Sequence, residues 1–132
     1  MMRNLIAAID LGSNSFRLQV GRIVNDQIYP LDGLKESVRL AAGLSADKIL
    51  DLDAQQRGVA ALQRFRERLH DFDAGAVRAV ATNTLRVAKN SAEFLLRAEA
   101  ALGFPIEVIA GREEARLIYV GVAHTLPDPH KQ

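Results

Sequence analysis

Five consecutive apolar residues, Leu5-Ile6-Ala7-Ala8-Ile9, stop at Asp10, and Leu11-Gly12-Ser13-Asn14-Ser15-Phe16 follows at once. A strand that is apolar at every position, not at alternate ones, is expected to be covered on both faces. A carboxylate at the end of such a strand, followed by a Gly/Ser turn, can present backbone N–H groups and a metal-ordering acid to a phosphate. The same residues also make an ordinary hairpin turn, because Gly, Ser and Asn fill turns for conformational reasons alone. On this segment both readings stay open.

The hydrophobic period then changes in an ordered way. Phe16, Leu18 and Val20 alternate with Arg17, Gln19 and Gly21, and a second short apolar run, Ile28 to Leu34, follows Asn25-Asp26-Gln27. Three strands joined by tight turns fit this pattern, an antiparallel meander. Lys35 to Leu52, interrupted by Gly43, Ser45 and Asp47, reads as a long loop with one helical turn; loops of this length inside a domain are usually functional or mobile. From Asp53, a candidate N-cap, Val59, Leu62, Phe65 and Leu69 form one stripe of a helix ending near His70. Arg57, Arg64, Arg66 and Arg68 are assigned to its solvated outer face.

Ala76 to Ala81 reads as a short buried strand and Thr82-Asn83-Thr84 as a turn. Asn90 and Glu93 have capping-box spacing before a helix with Phe94, Leu95, Ala98 and Leu102 inward. Gly103 closes that helix, Pro105 stops its continuation, and Ile106 to Ile109 is a further strand. Gly111 opens a last helix with Ala115, Ile118, Tyr119 and Val122 on one face, ended by Pro127 and Pro129. Three strands followed by alternating helices and strands make a mixed α/β sheet. Its candidate sites, Asp10 to Ser15, Thr82 to Arg86 and Gly111 to Glu114, each follow a strand, the edge at which ligands of α/β sheets collect.

Composition excludes several classes. A chain of 132 residues, 48% hydrophobic and 25% charged, can bury one real core, and residues 1–126 are expected to form a single domain with a short tail at 127–132. Thirteen of the 17 basic residues are arginine, but 16 acidic residues offset them and no basic block occurs, so charge gives no indication of nucleic-acid binding. Without cysteine there is no disulfide, thiolate nucleophile or cysteine-held metal, and His70, His124 and His130 are too far apart in sequence to suggest a zinc site. No apolar stretch approaches the ~20 residues of a membrane span and no signal-peptide pattern opens the chain, so no membrane association and a cytoplasmic location are expected.

Three segments, Ala8 to Leu18 (AIDLGSNSFRL), Ala81 to Arg86 (ATNTLR) and Pro105 to Thr125 (PIEVIAGREEARLIYVGVAHT), resemble the exopolyphosphatase and guanosine pentaphosphate phosphohydrolase (Ppx/GppA) family. That family lies within the actin-like, hexokinase-like and chaperone-like ATPase superfamily. The resemblance implies a ribonuclease H-like mixed sheet and hydrolysis of inorganic polyphosphate or guanosine penta- or tetraphosphate. It implies that Asp10 to Phe16 is the first phosphate-binding loop, with Gly12, Ser13, Asn14 and Ser15 on substrate. Arg86 would be a phosphate-contacting arginine and Glu114 the general base for water. The family's second phosphate loop, of DIGGGSxE type, would come soon after Thr125 and is absent before Gln132. The chain is therefore expected to be the first lobe of a two-lobed enzyme, inactive alone and a homodimer when complete.

These roles have chemical sense. Cleaving a phosphoanhydride needs N–H groups and cations around the terminal phosphate and a base for water. Gly12 lets backbone approach closely, and Asp10, ionised at neutral pH, can hold a hydrated Mg²⁺ through water. Each residue also has a plainer use. Asp10 can simply end a strand, Arg86 can pair with a surface carboxylate, and Glu114 can serve a helix cap, with Glu113 beside it. A non-catalytic phosphate- or nucleotide-binding module of the same superfamily is the alternative function, since one fold hosts many activities.

Overall fold

The computed structural model describes residues 4–109. Its elements run β1 (Leu5–Leu11), β2 (Ser15–Val24), β3 (Gln27–Ser37), α1 (Leu52–Leu69), β4 (Val77–Ala81), α2 (Asn83–Val87), α3 (Ser91–Leu102) and β5 (Ile106–Val108). The strands form one sheet in the order β3-β2-β1-β4-β5. β1 is antiparallel to β2 and β2 to β3, whereas β1 is parallel to β4 and β4 to β5. The expected meander is therefore present, and so is the α/β alternation after it.

β1 occupies the centre of the sheet, which is why its sequence is apolar throughout. Ala7, Ile9 and Leu11 join the core beneath the helices, and Ile6, on the reverse face, is equally buried. β2 contributes Phe16, Leu18 and Val20 to the helical side, and β4 contributes Ala79 and Ala81. α1 answers with Leu62, Phe65 and Leu69, α3 with Phe94, Ala98 and Leu102. The crossing of the two helices depends on Gly58, where a Cβ would stand 2.9 Å from Phe94 Cζ and 3.4 Å from Phe16 Cε2. The β2–β3 turn is a two-residue loop: Asn25 and Asp26 both have positive φ, as the twist of a tight hairpin requires. Among the described residues no helix is long and apolar enough to cross a membrane.

Several local expectations are corrected. The α1 cap is Asp51, not Asp53: its carboxylate accepts from Ala54 N at 2.7 Å, and Asp53 lies in the first turn. Thr82-Asn83-Thr84 is no free turn, because Asn83 begins the short helix α2. Ala76 belongs to a 3₁₀ turn before β4, and β5 ends at Val108. Asn90 does cap α3 by position, but its amide makes no cap bond. It pairs instead with the backbone of Leu50, accepting from N at 2.9 Å and donating to O at 3.0 Å. Gly103, at φ +89°, closes α3 as expected.

Residues 35–52 contain the expected helical turn but are not a free loop. Lys35, Glu36 and Ser37 extend β3, and the remainder is a tied strap with a 3₁₀ turn at Ala41–Gly43 and a Leu44–Leu50 bridge. Val38, Leu40 and Leu50 are fully buried. Asp51 N donates to Gly43 O at 2.8 Å, and Gln55 Nε2 donates to Leu50 O at 3.0 Å. The final expected helix, from Gly111, lies outside the described residues.

Candidate functional site

The parallel strands β1 and β4 end side by side, with Thr82 N donating to Leu11 O at 3.3 Å. Of the three segments expected at this edge, the first two are thereby brought together. β5 ends beside β4, where Ile109 N donates to Ala81 O at 2.9 Å. Glu114 and the rest of Gly111 to Glu114 follow β5 in sequence but lie outside the described residues.

The Gly12–Ser15 loop is narrow. Gly12 N donates to Ser15 O at 3.1 Å, and a Cβ on Gly12 would sit 3.0 Å from that same carbonyl. Glycine is needed here for close backbone approach and not for a positive φ. Asn14 is exposed, while Gly12, Ser13 and Ser15 are half-buried. Asp10, one residue before the end of β1, is half-buried and alternates onto the face reverse to α1 and α3.

Thr84, which sequence reasoning passed over as a turn residue, connects the two segments. It is buried, and its Oγ1 donates to Ser13 Oγ at 2.9 Å. A hydroxyl has one proton and two lone pairs, so a Ser13 oxygen that accepts from Thr84 keeps its own O–H to donate elsewhere. The signal lay in the sequence as a Thr on the strand-end segment, without anything local to name its partner across 71 positions. Arg86, two residues on, is exposed in α2.

The strap after β3 closes the other side of the loop. Val38 N and Arg39 N donate to Asn14 O at 3.0 and 2.8 Å, and Ala41 N donates to Ser13 O at 3.0 Å. These bonds fix the carbonyls of the loop, so its conformation is set before any ligand arrives. The bonds also bring a cation, Arg39, to the loop that the sequence left in an unassigned segment.

A divalent ion can be tested against these donors. Among the described residues no group of three or more His, Cys, Asp or Glu side chains could hold a metal. Asp10 and the hydroxyls of Ser13 and Ser15 are hard oxygen donors, suited to Mg²⁺ that keeps most of its waters and takes phosphate oxygens as further ligands. The donor set thus fits a hydrated ion shared with substrate and does not fit a dehydrated structural one.

An antiparallel meander followed by parallel strands in the order β3-β2-β1-β4-β5, with strand-end loops meeting at β1 and β4, defines an α/β protein of ribonuclease H-like fold. Residues 19–132 match the Ppx/GppA phosphatase family, and the chain belongs to that family. The crystal structure of the Aquifex aeolicus Ppx/GppA family member is 30% identical, with a TM-score of 0.78 over 92% of this chain and 40% of that one. An exopolyphosphatase from Cytophaga hutchinsonii is 31% identical, with a TM-score of 0.76 over 86% of this chain and 36% of that one. The chain therefore spans well under half the length of these relatives.

Proposed function

We propose that this chain is the first lobe of a two-lobed phosphohydrolase that releases terminal phosphate from inorganic polyphosphate or guanosine pentaphosphate by attack of water. The observation that carries the reading is the Thr84–Ser13 hydrogen bond, which joins the loop after β1 to the segment bearing Arg86. Family membership and the exopolyphosphatase of Cytophaga hutchinsonii support the reaction class.

In this reading the terminal phosphate lies on the Gly12–Ser15 loop, where the Ser13 hydroxyl donates to a phosphate oxygen. The Arg86 guanidinium offers a planar fork of donors to the equatorial oxygens, which gain charge as the anhydride bond breaks. Glu114 takes a proton from the attacking water. Asp10 would hold Mg²⁺ through water, and the ion would supply charge that offsets that of the phosphates. The second lobe supplies the remaining contacts.

The test is phosphate release, with Mg²⁺, by the complete protein containing this chain, on polyphosphate and on guanosine pentaphosphate. Glu114→Gln is expected to abolish release while binding persists, and the isolated 132-residue chain to turn over little or nothing. Unchanged turnover by Glu114→Gln overturns the base assignment. Binding without release by the unsubstituted protein on both substrates favours a non-catalytic phosphate-binding module.

A further inference from the structure

The arginines divide by what their guanidinium groups touch. Arg57, Arg64, Arg66, Arg68, Arg78 and Arg97 each donate to an oxygen within the fold. Arg17, Arg22, Arg39 and Arg86 are exposed, and among the described residues their guanidinium groups make no hydrogen bond or ion pair; of these, Arg39 and Arg86 stand beside the Gly12–Ser15 loop.

The Arg39 backbone, by contrast, is held from both sides. The N–H donates to Asn14 O at 2.8 Å. Arg57, from α1, donates through Nε to Val38 O at 2.7 Å and through Nη2 to Arg39 O at 3.2 Å. Between these anchors Arg39 sits at φ +57°, a left-handed conformation unfavourable to any residue with a Cβ and relaxed for glycine. Such a conformation persists where the surroundings over-determine it, and a long cation kept there points to use of its side chain. Lys48 is also left-handed, at φ +67°, but its carbonyl accepts from Lys89 N and not from the loop.

Placement says what the cation would meet. Arg39 follows β3 and Arg86 follows β4, so they flank the Gly12–Ser15 loop from opposite sides in the order β3-β2-β1-β4. Strand spacings of about 4.8 Å put β3 and β4 about 14 Å apart. A chain of phosphates running along the strand ends from Arg86 past the Gly12–Ser15 loop spans that distance and reaches the strap that carries Arg39.

We infer that Arg39 binds a phosphate of the substrate beyond the terminal one, making the strap after β3 a subsite for an extended phosphate chain. The inference rests on the reading of Gly12–Ser15 as a phosphate loop. It is tested by calorimetric binding of pyrophosphate and of long-chain polyphosphate to the complete protein containing this chain, carrying Glu114→Gln so that the probes persist, with Arg39 unsubstituted or replaced as Arg39→Gly or Arg39→Lys. Arg39→Gly removes the cation and relaxes the backbone, so the fold is kept. It is expected to weaken long-chain binding about tenfold and to leave pyrophosphate within about twofold, with Arg39→Lys recovering part of the loss. Equal affinity of the proteins with and without Arg39→Gly for the long chain, or equal losses on both probes, overturns the subsite. Failure of the complete protein with Arg39 unsubstituted to bind either probe is a different result and overturns the phosphate-loop reading beneath it.

Discussion

The flank where α1 lies against β3 and the edge where β1 and β4 end both carry arginine, and use it in opposite ways. On the flank, Arg64 makes a bidentate pair with Glu36 at 2.8 and 3.0 Å, Arg68 pairs with Asp32, and Arg57 holds the Val38 and Arg39 carbonyls. These groups fasten α1 to β3, the edge strand of the sheet, and to the segment that follows it. At the edge, Arg39 and Arg86 have fixed backbones and guanidinium groups that meet no acid among the described residues. Where its donors go identifies an arginine as structural, but Arg17 and Arg22 on β2 are equally without partners among the described residues, so it is position beside the loop that sets Arg39 and Arg86 apart. Exposure does not decide this, since Arg57, Arg64 and Arg68 are all exposed as well.

The comparison breaks most readily at Arg57. Arg57→Ala leaves the buried Val38 peptide carbonyl without its charged donor, and a hydrogen bond from a charged group is worth about 1.5–3 kcal/mol. A loss of about 2 kcal/mol in urea unfolding is expected, together with weaker polyphosphate binding, because the same contact holds Arg39 at the loop. Arg86→Ala should change stability by no more than about 0.5 kcal/mol, while phosphate binding falls. Were the two variants equally destabilised, the division between fastening and ligand-directed arginines would fail.

The sequence made part of this legible and hid the rest for one reason. Regular periods are local, so the continuous run at Leu5–Ile9, the alternation at Phe16, Leu18 and Val20, and the stripe of Leu62, Phe65 and Leu69 all declared their elements. The glycine after α3 is equally local, and Gly103 closes that helix at φ +89°. What failed depends on partners distant in sequence. Asn90 has capping-box spacing with Glu93, yet its amide prefers the backbone of Leu50, 40 positions away. The strap from Val38 to Asp51 carries no period because its conformation comes from bonds to Asn14, Ser13 and Arg57. Asp10 and Gly12–Ser15 were visible as candidates because an apolar run stops there, and Arg86 because Ala81 to Arg86 resembles a Ppx/GppA segment. Arg39 was not, and Thr84 entered only as part of Thr82 to Arg86 with no role of its own, since only the folded chain shows that they touch the same loop.

The smallest effect tests the fastening side alone, through pH. The Arg64 hydrogen bonds, helped by its charge and opposed by partial burial, hold the Glu36 carboxyl below the usual glutamate range. A folded value below the unfolded one means the carboxylate is favoured by folding. The contribution is therefore full above about pH 5, and it is lost as pH falls below the ordinary glutamate value of about 4.3 and through the lower folded value. Arg64 is half exposed, so solvent screens the pair and its coupling should not exceed about 1 kcal/mol. A double-mutant cycle of Glu36→Gln and Arg64→Met, followed by urea unfolding, is expected to show that coupling at pH 7 and a steadily smaller one as pH falls below the ordinary glutamate range. Phosphate binding at pH 7 should be the same in all four proteins, because neither residue reaches the Gly12–Ser15 loop. A coupling that does not fall with pH would mean packing, not charge, fastens α1 to β3, and altered phosphate binding would mean the flank and the edge are not separable.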